Sequence, residues 1–206
     1  MIALNHIATL RRLIWLLCLI PLAILIGDVI EDQLGANPVE HIERHLGLWT
    51  LIFICLTLSI TPLVTISKLS NLIVLRRTFG LYSFFYACLH LLAYLWVDYM
   101  WEWRDIWHDV SKHRYVYIGF AAWLLMLPLA LTSNQRMIRK LRQNWKRLHR
   151  LIYLIAIFAV LHFFWLTKKD FSEPTIYALI VACLLSMRSS MAKKVVLLFK
   201  QIIARH

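Results

Sequence analysis

Charged residues are scarce in this chain: Asp, Glu, Lys and Arg make up only 17% of its 206 residues, while 61% are hydrophobic. A soluble domain of this length would need far more polar surface. Cysteine is also sparse, and Cys18, Cys55, Cys88 and Cys183 stand alone in apolar runs. This spacing favours buried small residues over disulfides or metal ligation. The sequence lacks a glycine-rich phosphate loop, an HExxH motif and a serine nucleophile motif, so nothing in it indicates hydrolysis or nucleotide binding.

Six apolar segments separated by polar turns predict an all-α membrane bundle of six transmembrane helices. They lie near residues 13–29, 46–66, 79–97, 115–131, 148–166 and 174–187. Their lengths approach the roughly 20 residues that a membrane span needs. Pro21 and Pro128 lie inside two of these segments and predict kinks there. The first segment lacks an A-x-A-like cleavage site, which favours a retained helix over a signal peptide.

We expect residues 1–206 to form a single integral membrane domain. Residues 193–206 (KKVVLLFKQIIARH) predict a basic amphipathic helix lying on the lipid surface. The composition gives no reason to expect a nucleic-acid partner.

Lysine and arginine are distributed unevenly over the turns between the segments. All but six of the 23 share the side that carries both termini, and the six exceptions are Arg44, Arg104, Lys112, Arg114, Lys168 and Lys169. By the positive-inside rule, both termini are cytoplasmic. All eleven acidic residues fall on the opposite side.

Two histidines lie deep inside apolar segments. His90 is in the third segment and His162 is in the fifth, and each follows an alanine three residues earlier (Ala87 and Ala159). Ionisable side chains at such depth are costly and therefore mark candidate functional sites. His90 lies 13 residues beyond Arg77 and His162 lies 12 beyond Arg150, which places both roughly 18–20 Å from the basic side. Imidazoles at matched depth on neighbouring helices can bind one haem iron from opposite faces.

Other roles for this pair stay open at the level of sequence. Each histidine can instead hydrogen-bond across a helix interface, and histidine pairs in membranes also serve in proton relays. Every Asp and Glu lies in a turn or at a segment edge, and this favours haem over a proton path.

His149, at the basic edge of the fifth segment, is a weaker candidate for an inner cofactor site or a second haem. It lies 13 residues before His162, which corresponds to about 20 Å along a helix. On a straight helix the two side chains point roughly 140° apart. At the equivalent depth, the third segment has Arg76 and Arg77 instead of a histidine.

Four stretches carry a resemblance to a known family: LTLSITPL (56–63), LRRTFGLYSFFYACLHL (75–91), LALTSNQ (129–135) and WKRLHRLIYL (145–154), followed by His162. The chain resembles the MsrQ (formerly YedZ) family, the haem-binding membrane subunits of bacterial MsrPQ methionine sulfoxide reductase systems. That family belongs with the ferric-reductase-like transmembrane domains. The similarity extends over nearly all of the chain, except that His45 is displaced by one residue from a motif before the second span and receives no role.

The resemblance implies a cytochrome b subunit of the bacterial inner membrane that transfers electrons and carries out no substrate chemistry itself. The implied recipient is the periplasmic molybdopterin enzyme MsrP, which repairs oxidised methionine, and the implied donor is the quinone pool or a cytoplasmic flavin reductase. The implied cofactors are haem b and FMN, and the three family histidines map onto His90, His149 and His162. Two alternatives are a stand-alone quinol or ferric reductase of the same fold, and a small transporter or scaffold whose histidines only pack helices.

Overall fold

All regular secondary structure among the described residues is helical, which confirms the predicted all-α class. The structure is a computed structural model, and it describes residues 12–188. Five helical stretches are long and apolar enough to cross a membrane: Arg12–Ile30, Pro38–Ser67, Ser70–Asp98, Arg114–Leu131 and Gln143–Leu166. They match five of the six predicted segments. The sixth, Ser172–Ser186, is apolar but has only 15 residues.

The first span is broken near its middle. Helix α1 (residues 12–17) ends in a turn at residues 18–19, and α2 (Ile20–Ile30) begins immediately before Pro21. The fully buried Tyr86 bridges this break: its hydroxyl donates to the carbonyl oxygen of Cys18 (2.9 Å) and accepts from the amide of Leu22 (3.1 Å). A broken helix inside a bilayer needs such partners because no water is available there.

His45 also contacts the first span. Its Nε2 donates to the carbonyl oxygen of Pro21 (2.9 Å), so the residue to which the sequence assigned no role ties the second span to the first.

The second span is the long helix α3 (Pro38–Ser67), which begins well before the predicted residue 46. Asn37 caps it, since the Asn37 side chain accepts a hydrogen bond from the amide of Glu40, and Pro38 fits the first helical position. Pro62 lies inside the helix and has no N–H to donate to the carbonyl oxygen of Leu58. The Arg188 guanidinium donates to that oxygen instead (2.6 Å).

The third span comprises a short 3₁₀ turn (Ser70–Val74), helix α4 (Leu75–Leu92) and one π-helical turn (Ala93–Asp98). A short surface helix, α5 (Trp103–Lys112), follows it. Asp109 anchors α5 by accepting from the Tyr94 hydroxyl (2.8 Å) and pairing with His113 (2.6 Å). Burial and the nearby Asp109 carboxylate raise the pKa of Tyr99, which lies beside this cluster.

The remaining elements are α6 (Arg114–Leu131), α7 (Gln135–Leu141), α8 (Gln143–Leu148), α9 (Leu151–Leu166) and α10 (Ser172–Ser186). Helix α6 continues through Pro128 to Leu131, so no break occurs there. The most extensive contacts are those of α3 with α4 and of α6 with α9, and further contacts of α4 with α6 and of α3 with α9 join the two pairs. The predicted helix at 193–206 lies outside the described residues, and the single domain over 1–206 stays a prediction.

The two ends of the bundle differ in charge. We call the end that carries all eleven acidic residues the acidic end, and the opposite one the basic end. At the acidic end, Arg44 of α3 pairs with Glu173 of α10 (2.6 Å) and His41 lies 3.7 Å from Asp28.

All four cysteines are free thiols; Cys18 is buried as predicted, whereas Cys183 is exposed.

Candidate functional site

His90, on α4, faces the backbone of α3. Its Nδ1 lies 3.0 Å from the carbonyl oxygen of Glu43. Because a carbonyl can only accept, Nδ1 must carry the hydrogen, and Nε2 then keeps its lone pair. Gly47, one turn further along α3, allows the close approach: a Cβ atom there would lie 3.3 Å from Cε1 of His90. Nε2 of the partly buried His90 side chain is therefore available to bind a metal ion.

His162, on α9, repeats this arrangement against α6. Its Nδ1 donates to the carbonyl oxygen of Tyr115 (2.8 Å). Gly119 lies one turn beyond Tyr115, and a Cβ atom at Gly119 would lie only 2.7 Å from Nδ1 of His162. Any side chain at Gly119 would thus force the imidazole to move.

The two arrangements have the same spacing along the chain. Each histidine follows the residue whose carbonyl it contacts by 47 positions, and that residue is followed one turn later by the glycine. The α3–α4 pair and the α6–α9 pair therefore form two equivalent halves, and each half contributes one histidine.

The structure brings the two histidines together. Their ring centres are 6.1 Å apart and their planes meet at 80°. A metal–imidazole bond is about 2.0 Å long and the nitrogen lies about 1.1 Å from the ring centre, so two imidazoles on opposite sides of one metal ion have centres about 6 Å apart. The donor set, the free Nε2 atoms and the separation all fit a bis-histidine haem iron. Ligation itself stays a prediction.

Two residues near the acidic end, Glu43 and Tyr115, lie next to this histidine pair. Glu43 supplies the carbonyl to His90, and its carboxylate oxygen Oε1 is buried without a hydrogen-bond partner among the described residues. Glu43 lies within the first two turns of α3, at the edge where the sequence predicted every carboxylate, yet part of its carboxylate is buried. Tyr115 packs its ring 6.1 Å from that of His162.

His149 lies at the basic end, away from the other two. It occupies a turn between α8 and α9 and stacks on Trp145, with ring centres 4.0 Å apart. Its Nε2 lies 3.0 Å from Oγ1 of Thr132, whose single hydroxyl hydrogen goes to the carbonyl oxygen of Pro128 (2.6 Å). The Thr132 oxygen therefore accepts from His149, and Nε2 is engaged by protein in this arrangement.

The turn at His149 also changes the geometry assumed for a straight helix. Helix α9 starts at Leu151, so His149 and His162 are not on one continuous helix. The angle of roughly 140° between their side chains, which a straight helix would give, therefore does not hold. A role for His149 in an inner cofactor site stays a prediction.

Comparison with known proteins identifies the family. The sequence model for the ferric reductase like transmembrane component matches residues 14–160. A protein-methionine-sulfoxide reductase heme-binding subunit MsrQ from Xanthomonas campestris pv. campestris (strain B100) is 52% identical over 158 residues, which cover 77% of this chain and 72% of that protein. The chain belongs to the MsrQ family.

Other MsrQ proteins show the same relation. The one from Xanthomonas oryzae pv. oryzae (strain MAFF 311018) is 51% identical over 159 residues, covering 77% of this chain and 73% of that protein. The one from Herminiimonas arsenicoxydans is 43% identical over 186 residues, covering 89% and 85% respectively. The family match and the apolar helices together establish a membrane protein.

Sequence reasoning missed the residues that hold the two histidines in place. Gly47 and Gly119 precede His90 and His162 by the same interval of 43 residues, and this repeated interval was the available signal. The sequence pattern pointed to the alanines one turn before each histidine instead. In the structure Ala87 is buried in the apolar core and Ala159 packs against that core.

Proposed function

We propose that this chain is a b-type cytochrome subunit that carries electrons across a membrane, with His90 and His162 as the axial ligands of one haem. The observation that carries this proposal is the pair of imidazoles 6.1 Å apart, each with Nδ1 held by a backbone carbonyl. The names of the relatives describe heme-binding subunits, which agrees with this donor set.

A bound haem would supply an iron that gains and loses one electron. The protein's contribution is to hold the two ligands still. Each Nδ1–H bond to a carbonyl fixes the ring orientation and raises the basicity of Nε2. His90 and His162 would hold the haem iron through two imidazole nitrogens, and a haem held in this way would suit electron transfer more than oxygen chemistry. Fully buried apolar side chains such as Ile155 and Ala156 pack in the core between the helices and exclude water from it.

The direction of transfer follows from charge and depth. The positive-inside rule places the basic end and both termini in the cytoplasm of a bacterial inner membrane. The carbonyls that hold the two histidines belong to Glu43 and Tyr115, which lie near the acidic end of α3 and α6. A haem held by His90 and His162 would thus lie toward the periplasm, on the side of an external electron acceptor.

The family resemblance extends this proposal to partners. The acceptor is a periplasmic molybdopterin reductase of the MsrP type, and the chain itself is the non-catalytic subunit. Methionine sulfoxide formed in the periplasm needs reducing equivalents from the cytoplasm, which must cross about 30 Å of hydrocarbon. The donor is the quinone pool or a cytoplasmic flavin reductase, and FMN is a second cofactor.

A stand-alone quinol or ferric reductase is a second candidate, because the matching family model is described as ferric reductase like. The two functions differ in their acceptor. Purified, reduced protein that is rapidly reoxidised by a ferric chelate and not by the periplasmic reductase would favour this second candidate.

The test is a reduced-minus-oxidised spectrum of the purified protein and of single variants. The parent protein should show b-type Soret and α bands, and His90→Ala and His162→Ala should each lose them while still inserting into the membrane. His108→Ala is the matched control, because His108 is exposed on α5. Full haem retention in either ligand variant contradicts the pairing, and colourless parent protein contradicts the function.

A further inference from the structure

The short helix α5 has three different faces. Trp103 and Trp107 are four residues apart and therefore share one face, where their side chains are 65% and 76% exposed. Ile106 and Asp109 are buried on a second face, toward the bundle. Exposed polar side chains recur every four residues on a third face: Arg104, His108 and Lys112. At 100° per residue, the tryptophan face lies between the buried face and the polar face.

Helix α5 lies against the end of the spans and does not extend away from it. Asp109 accepts a hydrogen bond from the hydroxyl of Tyr94 (2.8 Å), and Tyr94 belongs to the membrane-spanning stretch Ser70–Asp98. Helix α5 also contacts α6, the next span. The tryptophan face is therefore level with the last turn of the third span, where hydrocarbon gives way to lipid headgroups.

The turn that leads into α5 continues its apolar surface. Met100 and Trp101 both have positive φ angles, 44° and 62°, which non-glycine residues adopt rarely and under strain. Their backbone amides donate to the carbonyl oxygens of Trp96 (3.1 Å) and Leu95 (2.8 Å), so the turn is held at the end of the third span. Both side chains are exposed, and the Trp101 ring lies 5.7 Å from that of Trp103.

An exposed apolar surface of this kind marks contact with a protein or with a membrane. Two observations favour lipid. The surface is continuous with exposed apolar residues of the third span, Leu92 and Trp96, and the outside of a membrane span meets lipid. In addition, α5 contains two acidic and two basic residues, so it has no excess charge that would attract a charged protein partner.

We infer that α5 is a membrane-surface helix whose Trp103 and Trp107 side chains insert into the headgroup region of the lipid bilayer at the acidic end. Indole suits this boundary because its ring is apolar and its N–H can still donate to water or to a headgroup. The polar face of α5 then points to water, as in other helices that lie in the plane of the interface. This inference does not depend on the haem proposal, because different residues carry it.

Spin labelling of the full-length protein in phosphatidylcholine vesicles measures the surroundings of each face. The background is Cys183→Ser, which removes the exposed cysteine, and label bound by this background is subtracted. Single labels are placed by Trp103→Cys and Trp107→Cys, with His108→Cys on the polar face as the matched control. Leu124→Cys, at an exposed position within α6, provides the reference for hydrocarbon. Collisions of the label with oxygen report lipid, and collisions with a water-soluble nickel chelate report water.

The ratio of oxygen to nickel collisions should be several-fold higher at positions 103 and 107 than at 108. It should remain below the ratio at 124, because the headgroup region lies between hydrocarbon and water. All four positions are exposed, so the substitutions leave the packed core unchanged, and size-exclusion profiles check this.

Three results would overturn the inference. Equal ratios at 107 and 108 would show that the tryptophan face meets water. Labels at 103 and 107 that neither reagent reaches would show that protein covers this face, which in a purified sample means a second copy of the chain. Ratios at 103 and 107 equal to that at 124 would place the helix within the hydrocarbon instead of at its surface. An absence of haem bands would contradict the proposed function alone and leave this inference standing.

Discussion

Replacing Gly119 with alanine tests whether the close approach of α6 to His162 determines the affinity for haem. A Cβ atom at this position would lie 2.7 Å from Nδ1 and 2.8 Å from Cε1 of His162, whereas ordinary contacts begin near 3.4 Å. The ring must therefore move away from α6 by about 0.7 Å. The bond from Nδ1 to the carbonyl oxygen of Tyr115, now 2.8 Å, would lengthen to about 3.5 Å, beyond the range of a good hydrogen bond.

The expected consequence is weaker haem binding with the fold retained. Loss of a hydrogen bond that orients a ligating histidine typically lowers metal affinity by about 10–100-fold. Gly47→Ala should have a smaller effect, because its Cβ atom would lie 3.3 Å from the nearest atom of His90. Gly80→Ala should have none, since its nearest neighbour, Cγ2 of Thr57, would be at an ordinary 3.7 Å.

The assay compares the haem-to-protein ratio of the purified variants and the rate at which each transfers haem to apomyoglobin. Size-exclusion profiles of the three glycine variants check that each remains folded. A Gly119→Ala protein that keeps both the parental ratio and the parental transfer rate would refute the argument that Gly119 provides space for His162. Equal damage in Gly80→Ala would show that the effect is general helix perturbation.

Three further predictions concern the rest of the bundle. If His90 and His162 hold the haem, His149→Ala should leave the haem spectrum intact, and complete haem loss would show that the ligand pair is wrongly assigned. Arg188→Ala should lower the free energy of unfolding by about 1.5–3 kcal/mol. In a Pro62→Ala background the loss should be smaller, because residue 62 regains an N–H that can donate to the Leu58 carbonyl. An equal loss in the two backgrounds would contradict the role of Arg188 as the donor that replaces this N–H. Tyr86→Phe should lower the unfolding free energy by about 1–3 kcal/mol, whereas Tyr117→Phe, at an exposed site, should change it little; equal stability of the two variants would argue against the bridge across the first span.

Much of the fold could be predicted because a bilayer constrains sequence strongly. Apolar runs of suitable length located five spans: their C-terminal ends lie within one residue of the predicted ends, whereas their starts lie up to nine residues earlier than predicted. Charge separated the two ends of the bundle. His90 and His162 were recognisable because an imidazole in hydrocarbon is costly unless it has a task. The juxtaposition of the two side chains depends on packing between helices, which the sequence alone did not show.

The residues that support the histidines were harder to predict because they act through the backbone. Glu43 and Tyr115 contribute carbonyl oxygens, and any residue type has one. The start of α3 at Pro38 was missed since its first turns are polar. The contact of His45 with the Pro21 carbonyl depends on how the first two spans pack, which a pattern of apolar residues does not reveal.

The repeated spacing of the two halves has a consequence at the other end of the helices. His162 follows His90 by 72 positions, and the same step takes Arg77 to His149. The halves thus match near the acidic end, where each presents an imidazole, and differ at the basic end, where one carries an arginine and the other a histidine at equivalent positions. A molecule bound between the halves at the basic end would meet two unlike side chains, whereas one bound between His90 and His162 would meet two imidazoles.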